Sequence, residues 1–322
     1  ATAMRCSILR QGLHARGRSG SGAKMKSSDI KTIAVIGAGQ MGGGIAQVAA
    51  ARGFSVVLSD ASMDLAKKGK DKIAKVLAKQ VAKGKLEAGD VEALLARIAP
   101  HPTGEALDTA DLVVEAATEN LDVKIALFKS ADAKMRPNAI LASNTSSISI
   151  TRLAGQTSRP DRVIGMHFMN PVPLMKLVEL VRGVQTSDET YAVIRDLSEA
   201  LGKSVITSKD QPGFVVNRML VPFLNEACFV LQEGLGTPED IDLGAKLGLN
   251  HPMGPLELAD LIGLDTLLFI AEVLHREFGD DKYRPATLLR NLVAAGWYGR
   301  KVGRGFYVYD DKGQKSGRAF ER

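Results

Sequence analysis

The chain has 322 residues, of which 45% are apolar and 24% charged, a composition typical of a soluble globular protein with two domains. Its two cysteines, Cys6 and Cys228, have neither disulfide-framework nor metal-ligand spacing, and no apolar run reaches the ~18 residues that a membrane span needs. The net charge of +6 equals the contribution of six basic residues before Asp29, where no acidic residue occurs. We therefore expect no metal site, no membrane and no nucleic acid as partners.

Residues 1–28 form a leader that is rich in arginine, serine and glycine, which is the composition of a mitochondrial transit peptide. A disordered tail, a vector-derived leader or a start upstream of a natural Met25 explains the same composition. The first interpretation predicts a protein of the mitochondrial matrix, and the others predict a cytoplasmic one. In each case the fold is expected to begin at about Asp29.

A glycine turn, GAGQMG at residues 37–42, follows a predicted strand at residues 31–37 and opens an alanine-rich helix. In this context the glycines allow a tight turn, and the helix N-terminus offers free N–H groups to a pyrophosphate. A second strand, residues 55–59, ends at Asp60, 21 residues after Gly39. A carboxylate there accepts hydrogen bonds from a ribose 2′-hydroxyl and repels the 2′-phosphate of NADP. The sequence therefore predicts NAD as the cofactor.

Strands and helices alternate through the first two thirds of the chain. After a lysine-rich helix, here called the lysine arm (residues 63–86), strands are predicted at residues 112–115, 139–142, 163–167, 176–181 and 204–208, with a helix at 122–131. This alternation predicts an α/β fold with a doubly wound parallel sheet of the Rossmann type.

The pattern becomes helical after Pro212. Residues 213–233 form a predicted helix with a kink at Pro222, and a typical helix start occurs at Thr237-Pro238-Glu239-Asp240. Another amphipathic helix is predicted at residues 267–278. We therefore expect two domains, an NAD-binding Rossmann-type domain at residues 29–212 and an all-helical substrate and dimerisation domain at residues 213–322.

His167 ends an apolar strand, at the edge where ligands bind in open α/β sheets. Glu179 lies among the apolar residues of the next strand, where an unpaired carboxylate is costly. A His–Glu pair satisfies this carboxylate, fixes the imidazole tautomer and stabilises the imidazolium that forms when the histidine takes a proton. The alternative to this general base is a structural histidine, because the sequence does not show that the two side chains meet.

Two further polar positions have both a structural and a functional interpretation. Residues 143–147 (SNTSS) follow a strand, and they either bind a substrate or a carboxamide or form an ordinary turn. Asn217 lies in an apolar helix and needs a partner, from the chain or from a ligand.

The lysine arm carries a row of lysines at three- and four-residue spacings, which place them on one helical face. They are Lys68, Lys72, Lys75, Lys79 and Lys83. Such a charge run is usually a solvated face, but it also suits a ligand with several phosphates, such as CoA. The lack of interleaved aromatic residues argues against nucleic acid.

Seven segments, in this order, closely resemble the L-3-hydroxyacyl-CoA dehydrogenase family, which includes the bacterial 3-hydroxybutyryl-CoA dehydrogenases. They are VIGAGQMGGGIAQ (35–47), VVEAATEN (113–120), ASNTSS (142–147), HFMNPVP (167–173), MKLVE (175–179), PGFVVNR (212–218) and PMGP (252–255). The resemblance covers residues 31–309. It implies reversible, NAD-dependent oxidation of an (S)-3-hydroxyacyl-CoA to a 3-ketoacyl-CoA, in fatty-acid β-oxidation or short-chain butanoate metabolism.

The resemblance also implies residue roles. His167 is the catalytic base with Glu179 as its partner, and Ser146 and Asn217 contact the substrate. The implied NAD contacts are Gly37, Gly39, Gln40, Met41, Gly42, Asp60, Glu119, Lys124, Asn144, Ser146, Asn170 and Lys301. Lys83 matches a CoA-binding lysine, whereas the position of a CoA-binding serine holds Val76, which leaves that contact without its residue. Family members form homodimers through the helical domain, which fits the apolar helices after residue 213.

Two other functions fit the same motifs. A dehydrogenase of a free hydroxy acid or sugar acid uses the same His–Glu pair, and only the lysine arm favours a CoA ester over these substrates. A non-catalytic NAD-binding protein keeps the glycine turn but is expected to lack His167, Glu179 or Asn217, and all three are present.

Overall fold

The computed structural model describes residues 25–319 of the chain. Most of the predicted leader, residues 1–24, lies outside the described residues. Met25 already belongs to the folded body, because its N–H donates to Glu189 Oε1 (3.3 Å) and its side chain packs against the core of the sheet. A short 3₁₀ turn at Ser27–Asp29 then leads into the first strand. The folded body thus includes residues 25–28, ahead of the predicted start at Asp29.

Among the described residues, one eight-stranded sheet organises the first part of the chain. Its strands are β1 (Thr32–Ile36), β2 (Ser55–Asp60), β3 (Ile98–Pro102), β4 (Leu112–Glu115), β5 (Ile140–Ser143), β6 (Val163–Phe168), β7 (Leu177–Arg182) and β8 (Ser204–Lys209). Their order across the sheet is β3-β2-β1-β4-β5-β6-β7-β8. β1 to β6 are all parallel, so the predicted Rossmann-type sheet is confirmed. The strand order reverses between β1 and β4, which places the ligand crevice at the carboxyl ends of these strands.

The last two strands add a reversal to this mostly parallel sheet. β7 runs antiparallel to β6, and β8 runs parallel to β7. The connection from β6 to β7 contains only residues 169–176, fewer than the dozen or so that a crossover between parallel strands needs. The reversal sets His167 directly opposite Glu179 in the strand register.

Helices cover both faces of the sheet. They are α1 (Gln40–Ala51), α2 (Met63–Ala82), α3 (Ala88–Ala96), α4 (Leu121–Lys134), α5 (Ile150–Ala154) and α6 (Asp188–Ala200). Alternate residues of β1 belong to the hydrophobic cores on opposite faces of the sheet. Ile33 and Val35 pack with α1, α2 and α6. Ala34 and Ile36 pack with α4 and α5 on the other face. The continuous apolar run of this strand follows from burial on both faces.

The lysine arm is shorter than predicted. α2 ends at Ala82, α3 follows it, and β3 then pairs with β2 at the edge of the sheet. The sequence of β3, IAPHP, did not predict a strand, because Pro100 and Pro102 are typical of a loop. An edge strand tolerates proline, since one side of its backbone needs no partner strand. Ala66, Gly69, Ile73 and Leu77 bury one face of α2.

The rest of the described chain is mostly helical. Its helices are α7 (Val216–Gln232), α8 (Pro238–Gly248), α9 (Pro255–Ile262), α10 (Leu264–Phe278) and α11 (Thr287–Ala294), and they bury a hydrophobic core of their own. α7 continues through Pro222 as one helix. α8 starts as predicted, because the Thr237 side chain accepts the N–H of Asp240.

The sequence predicts that this region is all-helical, and this prediction is wrong in one place. Two strands, β9 (Tyr307–Tyr309) and β10 (Lys315–Arg318), form an antiparallel hairpin. Tyr307 Oη donates to Asp242 (2.7 Å) and Tyr309 Oη donates to Asp260 (3.0 Å). The two phenols therefore attach the hairpin to α8 and α9. Burial raises the pKa of the Asp260 carboxyl to about 6.

Within residues 25–319, no helix combines the length and the apolar character that crossing a membrane requires. That part of the chain also holds no group of three or more His, Cys, Asp or Glu side chains arranged to bind a metal ion.

Candidate active site

The glycine turn connects β1 to α1 at the crevice of the sheet. Gly37 has φ +102°, and α1 approaches the turn so closely that a Cβ at Gly42 would overlap Gly37 O. At Gly39, in contrast, an added Cβ would meet no atom within 4 Å, and no side chain caps the helix. The open space and the free N–H groups of the first helical turn fit the pyrophosphate of NAD. Met41 packs against the sheet core.

Asp60 ends β2 beside this turn. Its Oδ2 accepts the N–H of Ala38 (2.8 Å) and its Oδ1 accepts the N–H of Ala61 (2.7 Å). The carboxylate therefore fixes the turn, and it remains half-buried, so it can also accept a ribose hydroxyl.

A buried ion pair lies where β4 and β5 end. Lys124 Nζ contacts both carboxylate oxygens of Glu115 (2.7 and 2.8 Å), and Ser143 Oγ donates to the same carboxylate (2.7 Å). Lys124 and Glu115 are both buried. Glu115 is not among the predicted site residues, although it is a carboxylate in an apolar strand, as Glu179 is. The predicted cofactor residue Lys124 is thus held in place by an internal partner.

Glu119 forms hydrogen bonds with the polar segment that follows β5, residues 144–147. Its carboxylate accepts hydrogen bonds from Thr145 Oγ1 (2.9 Å), the Ser146 N–H (2.5 Å) and Ser146 Oγ (2.9 Å). It also lies 3.5 Å from Lys124 Nζ. The structure therefore brings three predicted site residues together at the carboxyl edge of the sheet.

Two asparagines join this edge to β6 and to the glycine turn. Asn144 Oδ1 accepts the N–H of Phe168 (2.9 Å), which ties the end of β5 to the end of β6. Asn170 Oδ1 accepts a hydrogen bond from Gln40 Nε2 (3.0 Å), at the start of α1. Both predicted cofactor residues therefore lie between the glycine turn and the strand that carries His167.

His167 and Glu179 meet across β6 and β7, as the sequence predicted. His167 Nδ1 lies 3.1 Å from Glu179 Oε2, and both side chains are buried. Because an ionised carboxylate only accepts, the proton of a neutral His167 ring lies on Nδ1, and Nε2 is then left as an acceptor. Glu179 Oε1 accepts the N–H groups of Val215 (2.5 Å) and Val216 (3.4 Å) at the start of α7. The glutamate thus orients the histidine and also binds the helical region.

The start of α7 brings two more side chains to the site. Asn217 Nδ2 donates to the carbonyl oxygen of Ser146 (3.4 Å), so the two predicted substrate contacts are adjacent. The Phe214 and His167 rings pack in a T-shaped arrangement, with 5.8 Å between the centroids and 61° between the ring planes. Phe214 has φ +49°, and its role was not apparent from the sequence.

A cleft of about 250 Å³ extends the site toward α10. Glu119, Ser147 and Phe214 line it from the sheet side, and Phe269 and Val273 line it from α10. Ser147 Oγ is buried and has no hydrogen-bond partner within residues 25–319. The cleft is therefore lined by residues that contact Ser146 and His167, namely Glu119 and Phe214.

Two predicted residues do not join this cluster. Lys83 follows the last turn of α2 as its C-cap and is exposed. Lys301 Nζ contacts both carboxylate oxygens of Asp265 (2.6 and 2.7 Å) at the start of α10. In the described part of the chain, neither side chain forms a hydrogen bond with another predicted site residue.

The fold and this site define an NAD-dependent oxidoreductase. Residues 32–211 match the sequence model of the "3-hydroxyacyl-CoA dehydrogenase, NAD binding domain", and residues 213–309 match that of the "3-hydroxyacyl-CoA dehydrogenase, C-terminal domain". The chain belongs to the 3-hydroxyacyl-CoA dehydrogenase family.

Individual relatives are similar over most of the chain. The probable 3-hydroxybutyryl-CoA dehydrogenase of Bacillus subtilis is 53% identical over 284 residues, which cover 88% of this chain and 99% of the relative. The human mitochondrial hydroxyacyl-coenzyme A dehydrogenase is 47% identical over 299 residues, 90% of this chain and 95% of the relative. The crystal structure of (S)-3-hydroxybutyryl-CoA dehydrogenase PaaH1 from Ralstonia eutropha has a TM-score of 0.85 and 56% identity, and it covers 88% of this chain and 100% of that one.

Proposed function

We propose that this chain catalyses the reversible, NAD-dependent oxidation of the 3-hydroxyl of an (S)-3-hydroxyacyl-CoA to the 3-ketoacyl-CoA, a step of fatty-acid β-oxidation or short-chain butanoate metabolism. The buried His167–Glu179 pair at the carboxyl end of β6 is the observation that carries the proposal. It supplies a base with a fixed tautomer beside the residues that fit NAD. The substrates in the names of the relatives agree with this assignment.

In this mechanism His167 Nε2 takes the proton of the 3-hydroxyl, because the Nδ1 proton is held by Glu179. The buried carboxylate stabilises the imidazolium that results. General base catalysis of this kind contributes roughly 10²–10⁴-fold to the rate. Ser146 and Asn217 orient the substrate oxygen so that the proton and C3 are in position. NAD, when held by these residues, would supply the acceptor for the hydride that leaves C3.

The proposed cofactor contacts follow the crevice. The glycine turn (Gly37, Gly39, Gln40, Met41, Gly42) takes the pyrophosphate, and Asp60 takes the ribose. Glu119, Lys124, Asn144, Ser146 and Asn170 surround the nicotinamide end, and Lys301 is a further contact on the resemblance alone. The proposal also keeps the division into an NAD-binding domain that ends at residue 212 and a substrate and dimerisation domain that begins at residue 213.

Reduction of acetoacetyl-CoA by NADH, followed by the loss of NADH absorbance, tests the proposed reaction. We expect kcat/KM for the CoA ester to exceed that for free acetoacetate by at least about tenfold, which corresponds to ~1.4 kcal/mol of binding to CoA. Equal efficiency with free acetoacetate contradicts a CoA substrate and supports the dehydrogenase of a free hydroxy acid.

His167→Gln tests the base. We expect kcat to fall by roughly 10²–10⁴-fold, whereas the dissociation constant for NADH stays nearly unchanged because the base acts only in the chemical step. The matched control is His275→Gln, at an exposed position on α10, which should behave as the wild type. Retention of more than about a tenth of the wild-type turnover in His167→Gln assigns the base elsewhere.

The helical region supports a homodimer. Its surface exposes a set of large apolar side chains, and contiguous apolar surface usually marks an interface. The set is Met219, Leu235, Leu243, Leu247 and Leu249, which are between 52% and 77% exposed. Leu247→Glu is expected to shift the mass measured by light scattering toward the monomer. Val184→Glu, at an 86% exposed position after β7, is the control, and a wild-type monomer contradicts the proposal.

The leader supports delivery to the mitochondrial matrix. Fusion of residues 1–28 to a fluorescent protein is expected to direct the fusion into mitochondria. A fusion that remains in the cytoplasm contradicts a transit function and places the enzyme there.

A further inference from the structure

The connection between β6 and β7, residues 169–176, carries Asn170 and separates His167 from Glu179. It contains no helix or strand, so its position depends on contacts with neighbouring elements. Two of these contacts come from α1. Gln40 Nε2 donates to Asn170 Oδ1 (3.0 Å), and α1 packs so closely that a Cβ at Gly44 would lie 2.8 Å from Val172 Cβ.

A third contact comes from Lys203, which lies between α6 and β8 and is buried. Its Nζ donates to the carbonyl oxygens of Val172 (2.6 Å) and Met175 (2.8 Å). One ammonium thus binds two backbone oxygens of the connection. Because the buried Val172 carbonyl needs a donor, this contact helps to fix where the centre of the connection lies.

Within residues 25–319, Lys203 forms no ion pair with a carboxylate, and the charged neighbour that affects it is the cationic Arg52. Burial first, and then the neighbouring Arg52 guanidinium, lower the pKa of the Lys203 ammonium. A buried ammonium that has no counter-charge costs free energy, and a methionine of similar length would avoid this cost. What the ammonium adds here is a fixed position for the two carbonyls.

We propose that Lys203 is a positioning residue for the nicotinamide end of the cofactor site and that it acts through residues 169–176. By binding the carbonyls it holds Val172 against α1 and Asn170 against Gln40. Lys203 itself touches neither substrate nor cofactor. The inference rests on the proposed function, which assigns Asn170 to the NAD site.

Lys203→Met tests the role, because it keeps the length of the side chain and removes its donors. In the cofactor-free protein we expect the amides of residues 169–176 to exchange hydrogen faster than in the wild type. We expect the dissociation constant for NADH to rise about tenfold, or ~1.4 kcal/mol. The control is Asn225→Ala, which loses buried hydrogen bonds to Arg284 O and Ala286 N in the helical region. It should lower stability without changing NADH affinity or the exchange of residues 169–176.

A double-mutant cycle with Asn170→Ala separates positioning from general destabilisation. If Lys203 acts through Asn170, Lys203→Met should change NADH affinity less than about twofold in the Asn170→Ala background, whereas independent effects add. Full additivity, or unchanged exchange of residues 169–176, overturns the inference. If Lys203→Met does not fold, Lys203→Gln keeps two N–H donors and should shift both measurements in the same direction by less. No shift in either measurement overturns the inference as well.

The proposed function and this inference fail differently. A wild-type protein that neither binds NADH nor reduces acetoacetyl-CoA refutes the proposed function. A fully active wild type with a silent Lys203→Met variant refutes only the role of Lys203.

Discussion

Glu179→Gln is the sharpest test of the His–Glu pair, because it keeps the shape of the side chain and removes its charge. In the structure, Glu179 Oε2 accepts the His167 Nδ1 proton (3.1 Å) and Oε1 accepts the Val215 N–H (2.5 Å). A glutamine has one carbonyl oxygen and one NH₂ group in place of the two carboxylate oxygens. It can therefore accept a hydrogen bond on one side only.

The size of the loss in kcat depends on whether the amide oxygen of the new glutamine faces Val215 or His167. The Val215 backbone N–H can only donate, so the glutamine oxygen is expected to face Val215 and the NH₂ group to face His167. His167 Nδ1 must then accept, which moves the ring proton to Nε2, where the base needs its lone pair. A tautomer change of this kind lowers kcat about 10⁴-fold in a serine protease triad, and we expect a loss of ~10²–10⁴-fold here. The weaker hydrogen bond to Val215 should lower the free energy of unfolding by about 1 kcal/mol.

Three measurements check this reasoning. Steady-state reduction of acetoacetyl-CoA gives kcat, NADH fluorescence gives the dissociation constant, and urea titration gives the free energy of unfolding. We expect NADH affinity to remain within about twofold of the wild type, because cofactor binding does not use the base. Glu272→Gln, which affects only an exposed contact with Arg290, is the matched control. A Glu179→Gln variant that keeps more than about a tenth of the wild-type kcat refutes the argument.

Three other perturbations probe the cofactor, the substrate and the helical region. Asp60→Ala is expected to relax a preference for NADH over NADPH, because the carboxylate that repels a 2′-phosphate is lost; equal kcat/KM with both cofactors in the wild type contradicts this. Lys83→Glu is expected to raise the KM for acetoacetyl-CoA at low ionic strength with little change in kcat, and an unchanged KM makes the lysine arm a solvated face only. Burial raises the pKa of the Asp260 carboxyl from its ordinary 3.8 to about 6, so the free energy of unfolding should fall as the pH rises from about 4 to about 6. Asp260→Asn should flatten this part of the urea-derived profile, and an unchanged slope assigns it to other groups.

The pairing of His167 with Glu179 could be predicted because its sequence signal is chemical. A carboxylate among apolar strand residues needs a partner, and His167 at the end of the preceding strand was the partner proposed for Glu179. The same requirement applies to Glu115 at the end of β4, which pairs with Lys124. The sequence therefore also contained the signal that Glu115 needs a partner, although the pair with Lys124 was not predicted.

Other features depend on tertiary contacts that no local pattern reports. β3 was missed because its two prolines suit only an edge strand, and the position of an edge is set by the whole sheet. The reversal at β7 was not predicted, because alternating strands and helices indicate a parallel sheet, whereas the short 169–176 connection allows only an antiparallel neighbour. The Val215 N–H reaches Glu179 only once α7 has packed on the sheet.

The hydrogen bonds of Glu179 link the proposed base, His167, to the packing of the helical region on the sheet. One oxygen of this carboxylate binds the Val215 N–H at the start of α7, and the other binds His167. A rotation that moves α7 away from the sheet must break the first bond and change the carboxylate that the imidazolium faces. The contact that orients the His167 ring is therefore complete only while α7 stays packed against the sheet.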